Sequence, residues 1–230
     1  MQLSFWVRRA HKWIGLVIGV QALFWMISGL YMVVVPIDVI HGDHLAHVSS
    51  AALKPSGSRI SEATLAQAYP GMTSIKLKNM LGKEVYEIRQ GKNAALVDAV
   101  SGKKISPLDR DTIKALADDS HVGEGSIRGI EWVVKAPQEV GKRPVPLWAV
   151  HYEEAGDTTL YFSPHTGDLV ARRHNLWRWF DFLWMFHIMD YEERDNVNNL
   201  LLRIASATGL AFALSGAWLL LYSFKRRKRA

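Results

Sequence analysis

The stretch WIGLVIGVQALFWMISGLYMVVV, Trp13–Val35, carries no formally charged residue. As an α-helix it spans roughly 35 Å, enough to cross the hydrocarbon core of a bilayer. Stepping at helical period from His11, one face carries Gly15, Gly19, Ala22 and Gly29. A stripe of small residues lets another helix, or something bulky and planar, approach the backbone closely. The run is longer than the apolar core of a signal peptide, and no small-x-small cleavage site follows it promptly. We therefore read it as a retained span.

Outward from this helix, charge sets the expected topology. Arg8, Arg9 and Lys12 precede it, and a second apolar run, Leu200–Phe224, is followed by Lys225, Arg226, Arg227, Lys228 and Arg229. Basic ends stay in the cytoplasm, so both termini are expected there, in a bacterial inner membrane, with residues 36–199 on the periplasmic side. These eight cations and Arg203, which is expected to snorkel, leave 19 of the 28 basic residues between the spans. All 22 acidic residues lie there too, so the middle carries about −3 while the whole chain is +6. The pI of about 9.5 thus reflects topogenic ends and argues against a nucleic-acid partner. A mean hydropathy of −0.01 averages two spans with a polar middle. With no cysteine there are no disulfides, thiol chemistry, cysteine-ligated clusters or covalently attached haem.

Between the spans the pattern reads as α+β. Ser61–Tyr69 is a short helix capped by Ser61 and stopped by Pro70-Gly71. Strands are expected at Ser74–Met80, Val85–Gln90 and Ala94–Val97. A second helix follows at Asp111–Asp118, then strands at Ile127–Val134, Leu147–Tyr152, Thr158–Phe162 and Leu169–Arg172. The turns Asp98–Lys103 and Ser163–Asp168 each supply a Ser/Thr-Gly step, where glycine accepts positive φ. This reads as two copies of one unit, over 61–107 and 108–175, with 36–60 as linker. Expected core positions are Ile75, Leu77, Val85, Tyr86 and Ile88 in one copy, and Trp148, Val150, Leu160 and Phe162 in the other. Residues 176–199 open with the aromatic-rich LWRWFDFLWMFHIMDY, too short to span and suited to a membrane interface.

Histidines are the residues with chemical potential. His41, His44 and His47 recur at spacing three beside Asp38 and Asp43, a pattern that could offer imidazoles to a metal ion. Gly42 weakens a helix there, and no HExxH signature accompanies them. His121, His151, His165 and His174 form no recognisable triad. Gly123-Glu124-Gly125-Ser126 reads as a loop, because no strand precedes it and no helix follows it.

Three segments carry a family resemblance. Arg8-Arg9-Ala10-His11-Lys12-Trp13-Ile14-Gly15-Leu16 is similar to the basic–His–Trp–Leu-Gly opening of the PepSY-associated transmembrane family. Leu160–Asp168 resembles its strand–turn–Gly pattern, and Phe186-His187 its late Leu-His-x-Gly element. Two departures stand out. Many members have about four spans where this chain has two, and Ile188-Met189-Asp190 follows His187 with no glycine.

The resemblance implies a membrane α+β fold in which two transmembrane helices flank a PepSY-like helix-plus-antiparallel-sheet domain. The family includes membrane ferrisiderophore reductases thought to carry haem b on intramembrane histidines, which makes His11 and His187 the cofactor-binding expectation. No nucleotide fingerprint is present, so electrons would come from another protein, a quinol or a soluble flavin, and pass to a periplasmic acceptor such as a ferric chelate. Because two helices cannot wrap a haem as four can, a homodimer or a second membrane subunit is expected. The rival expectation is a non-enzymatic module whose outer domain binds a protein or peptide partner, since PepSY domains are associated with protease inhibition.

Overall fold

The structure is a computed structural model describing residues 2–47, 52–53 and 58–223. It divides into two compact units, Met1–Ile37 with Trp179–Ala230, and Asp38–Arg178.

The first unit is helical. Helix α1 runs Gln2–Val34, and α6 runs Leu200–Ser223. Phe5–Val34 and Leu200–Leu221 are long and apolar enough to cross a membrane. The two helices pack antiparallel. Phe212 lies where a side chain on Gly15 would project, and further towards the α6 C-terminus Gly216 faces His11. The start of α1 and the end of α6 therefore share one end of the pair. The basic run 225–229 lies outside the described residues. Asn199 caps α6 by accepting from the Leu202 amide at 2.8 Å, an interaction worth about 1 kcal/mol. The aromatic segment is α5, Asn175–Ile188, whose residues from Trp179 onward belong to this unit.

The second unit starts within the short helix α2, Ile37–His41, and contains two antiparallel sheets. Helix α3 (Glu62–Ala68) precedes β1 (Ser74–Met80), β2 (Lys83–Gln90) and β3 (Asn93–Asp98), in sheet order β1-β2-β3. Helix α4 (Arg110–Ser120) precedes β4 (Ser126–Val133), β5 (Leu147–Glu153), β6 (Thr159–Phe162) and β7 (Leu169–Arg173), in order β4-β5-β6-β7. Both helices start at a side-chain cap. Ser61, the expected cap, accepts from the Thr64 amide, and Asp109, which the sequence reading did not single out, accepts from the Thr112 amide.

Alternation along β2 and β3 sends side chains to both faces of the first sheet. Tyr86, Ile88 and Val97 pack with Leu65 of α3. Val85 and Leu96 face the other way and join Ile113, Leu116 and Ala117 of α4 with Val150, Tyr152, Leu160 and Phe162 of the second sheet. The two sheets therefore share a core around α4, while each also closes a smaller cluster on its other face, Tyr86, Ile88 and Val97 with Leu65 in the first and Leu147, Ala149 and Tyr161 with Val140 in the second. Ile75 and Leu77 are partly buried beside the α3 cluster, and Trp148 beside the shared core.

Candidate functional site

Two histidines of the helical unit are held in the same manner at different levels of α1. His11 Nδ1 lies 2.7 Å from Ser215 Oγ of α6. Its ring stacks on Phe212 at 4.2 Å between centroids, with only 8° between planes. Gly216 makes this possible, because a Cβ there would sit 3.1 Å from His11 Cε1. His187, on the last turn of α5, places Nδ1 2.8 Å from Ser28 Oγ of α1. Its ring is parallel to Trp184 at 6.0 Å. No hydrogen bond to Nε2 of either histidine is present among the described residues.

The backbone around His187 is fixed by side chains. Gln21 Nε2 donates to the Phe186 carbonyl and Trp25 Nε1 to the His187 carbonyl, both at 2.8 Å. Asn199 Nδ2 donates to the Ile188 carbonyl at 2.8 Å. Carbonyls at a helix C-terminus have no partner inside the helix, so these three donors satisfy those at the end of α5. Phe24 stacks on Phe186 at 4.7 Å. The ring of His187 is thereby set against α1 at Ser28, 17 positions beyond His11. At helical rise this separates the two levels by about 25 Å.

The remaining histidines lie in the α+β unit and are dispersed. His41 ends α2, and His47 is exposed, its amide donating to the Ser120 carbonyl. His44 is also exposed and meets the ring of His174 edge-on, at 5.8 Å. Among the described residues no three His, Asp or Glu side chains gather as a metal site, so His41, His44 and His47 are not brought together. His174 is buried, and its Nε2 donates to the Ile40 carbonyl at 3.2 Å. Burial, then the neighbouring His44 and Arg178, lower its pKa, an effect that the carbonyls of Ile40 and Val39 oppose. His121 stacks on Tyr152 at 3.8 Å and lies 3.3 Å from Glu154. Gly123 and Gly125 pass closely over that pair, so the Gly-Glu-Gly segment serves as a loop wrapped on a side chain.

This arrangement of spanning helices, an α+β unit and two serine-held histidines coincides with a family match. The family described as PepSY-associated TM region matches residues 8–230. The chain belongs to this family. It is a membrane PepSY protein, and the match reaches from the basic opening before His11 through both sheets and α6. No curated protein and no solved structure matches the chain.

Sequence reading did not single out Ser28, Ser215, Gln21, Trp25 or Asn199. A signal was there for Gln21, Ser28 and Ser215, since polar side chains within an apolar span need partners inside the protein. Which partners they take depends on how α1, α5 and α6 pack, and spacing along one helix does not encode that.

Two of the residues present have the donor chemistry that a haem iron would need. An imidazole engaged at Nδ1 and open at Nε2 is the usual state of a histidine ligand, whose second nitrogen is held by an outer partner. His11 and His187 both have that arrangement. Gly19 adds clearance on α1, with nothing within 4 Å of where its side chain would begin.

Proposed function

We propose that this protein is a haem-binding component of the bacterial inner membrane that passes electrons across the bilayer to a periplasmic acceptor such as a ferric chelate. Both termini are cytoplasmic, and the two helix-plus-sheet pairs are copies of a PepSY-like unit on the periplasmic side. The observation that supports the haem reading is the pair of histidines, held alike about 25 Å apart along α1, each with Nε2 open. Haem b, when bound, supplies a one-electron couple whose potential follows its axial ligands and its burial. His11 and His187 are the residues that would hold it, at two depths. Among the described residues of the helical unit neither histidine has a second histidine at its own level. The working unit is therefore a homodimer, in which the second chain contributes the second imidazole at each level.

The test is haem content and mass of purified full-length protein, with a reduced-minus-oxidised spectrum, for wild type, His11→Ala and His187→Ala. Each variant is expected to lose about half the haem. A haem-containing monomer, or full haem in both variants, would overturn the proposal. Wild type free of haem under all conditions would hand the assignment to the binding-module reading.

A further inference from the structure

We infer that Ser28 and Ser215 are positioning residues that place the proton of His187 and His11 on Nδ1, leaving Nε2 as the lone-pair nitrogen. The role as ligand positioning rests on the haem reading above; the assignment of the proton does not.

The argument follows the hydroxyl protons. Ser28 Oγ lies 2.6 Å from the Phe24 carbonyl and 3.2 Å from the Trp25 carbonyl, one turn back on α1. Ser215 Oγ lies 2.7 Å from the Phe212 carbonyl on α6. A carbonyl oxygen only accepts, so each serine gives its single proton to its own helix. Towards the imidazole each Oγ then offers only lone pairs. The ring nitrogens at 2.8 Å and 2.7 Å must therefore be the donors. A neutral imidazole carries one N–H, so in the neutral form of each ring Nε2 is the unprotonated nitrogen. That is the form in which a histidine binds a metal through Nε2.

The same solution occurs twice on unrelated sequence. At one level the serine is on α1 and the histidine on α5; at the other the serine is on α6 and the histidine on α1. Ser28 is fully buried, and no water competes for its hydroxyl. A serine that only satisfied its own helix would leave the tautomer of the neighbouring ring undetermined. Here the carbonyl within reach of each hydroxyl selects it. The protein also supplies a contrast, because His174 donates from Nε2 to the Ile40 carbonyl and so takes the opposite tautomer.

The experiment is nitrogen NMR on full-length protein labelled with 15N-histidine in lipid nanodiscs without haem, assigned by loss of signals in His11→Asn and His187→Asn. His11 and His187 are expected as Nδ1–H tautomers, with His174 as the Nε2–H reference. Ser28→Ala and Ser215→Ala should each mix the tautomers of their own histidine and leave the other unchanged. Haem titration of the same variants should weaken binding by about 10–100-fold. Ser215→Thr, which keeps a hydroxyl at a half-buried position, should restore both signatures. Nε2–H tautomers in wild type, or unchanged tautomers in both alanine variants, would overturn the inference. Wild type with the expected tautomers but no affinity for haem would sink the haem reading and the ligand role, leaving the proton assignment intact.

Discussion

Lys78 of β1 and Asp168 of the β6–β7 turn, 90 residues apart, meet at 2.9 Å and tie the two sheets together. The same ammonium lies 3.0 Å from Glu87 and also donates to the Thr166 carbonyl. Glu87 is nearly buried on β2, and Arg89 is its other cation, at 2.7 Å. Lys78→Met keeps the aliphatic stem but leaves Glu87 with one cation and the Thr166 carbonyl without this donor. A loss of about 1–3 kcal/mol is expected, read as a lower thermal midpoint of the full chain in detergent. Adding Glu87→Gln should recover part of it; strictly additive losses would show that Lys78 and Glu87 are not coupled.

Gly167 in that turn has φ +68°, and a Cβ there would come within 3.1 Å of Met80 Sδ and 3.2 Å of Leu108 Cδ1. Gly167→Ala therefore combines backbone strain with crowding in the seam between sheets, and should cost about 1–3 kcal/mol. Gly129 on β4 has no positive φ and nothing within 4 Å of its Cβ position. Gly129→Ala should leave the midpoint unchanged or raise it slightly. Equal effects at the two positions would remove the seam from the explanation.

Stability of the α+β unit should fall on mild acidification because of His174. Its pKa is lowered in the folded protein, first by burial, so in the window just below the unfolded value of about 6.5 the unfolded chain binds more protons. Stability is full above that window, declines as pH drops through it, and levels off below the native value. One proton gives a slope of at most about 1.4 kcal/mol per pH unit. His174→Gln should flatten the difference in thermal midpoint between pH 7.5 and pH 5.5. An unchanged slope would assign the acid sensitivity elsewhere. Asp98, lowered below its ordinary value chiefly by hydrogen bonds from Ser101, and Asp190, lowered chiefly by the backbone amide of Asn196 and then those of Asp195, Glu192 and Glu193, act only at lower pH, where protonation removes their contribution.

The strands and helices were legible in sequence because their signals are local. Ser61 and the Pro70-Gly71 stop bracket α3, and period-two alternation fixes β1 to its full extent, Ser74–Met80. The shared core was not legible. Val85 and Tyr86 look like members of one hydrophobic run, yet they face different partners, and only tertiary packing supplies α4 as the partner of Val85. The histidines divide the same way. His11 and His187 stand out by motif, while their serine partners lie 204 and 159 positions away in the chain. The spacing of His41, His44 and His47 suggested convergence on a helical turn. Helix α2 ends at His41 and Gly42 takes φ +72°, so the three do not share a helix.

The small residues of α1 and α6 give the last prediction. The sequence reading offered a small-residue face on α1, including Gly15 and Gly19, to a partner helix, and α6 carries small residues of its own at Ala205, Gly209 and Gly216. Gly15, Gly209 and Gly216 are instead occupied within the chain, by Phe212, Trp25 and His11. Gly19 alone of these glycines is open, with nothing within 4 Å of its Cβ position, on an exposed face of α1 beside the one that His11 and Gly15 present to α6. If two chains meet along this face, Gly19→Leu blocks their approach while leaving the His11–Ser215 contact untouched. The variant is expected as a folded monomer that has lost haem from the His11 level, measured by light scattering and pigment content in the same detergent. Gly15→Leu should behave differently: its Cβ lies 2.8 Å from the Phe212 ring, so it should loosen the α1–α6 pair and lower the thermal midpoint. A Gly19→Leu protein that stays dimeric with full haem would place the interface on another face of the helices.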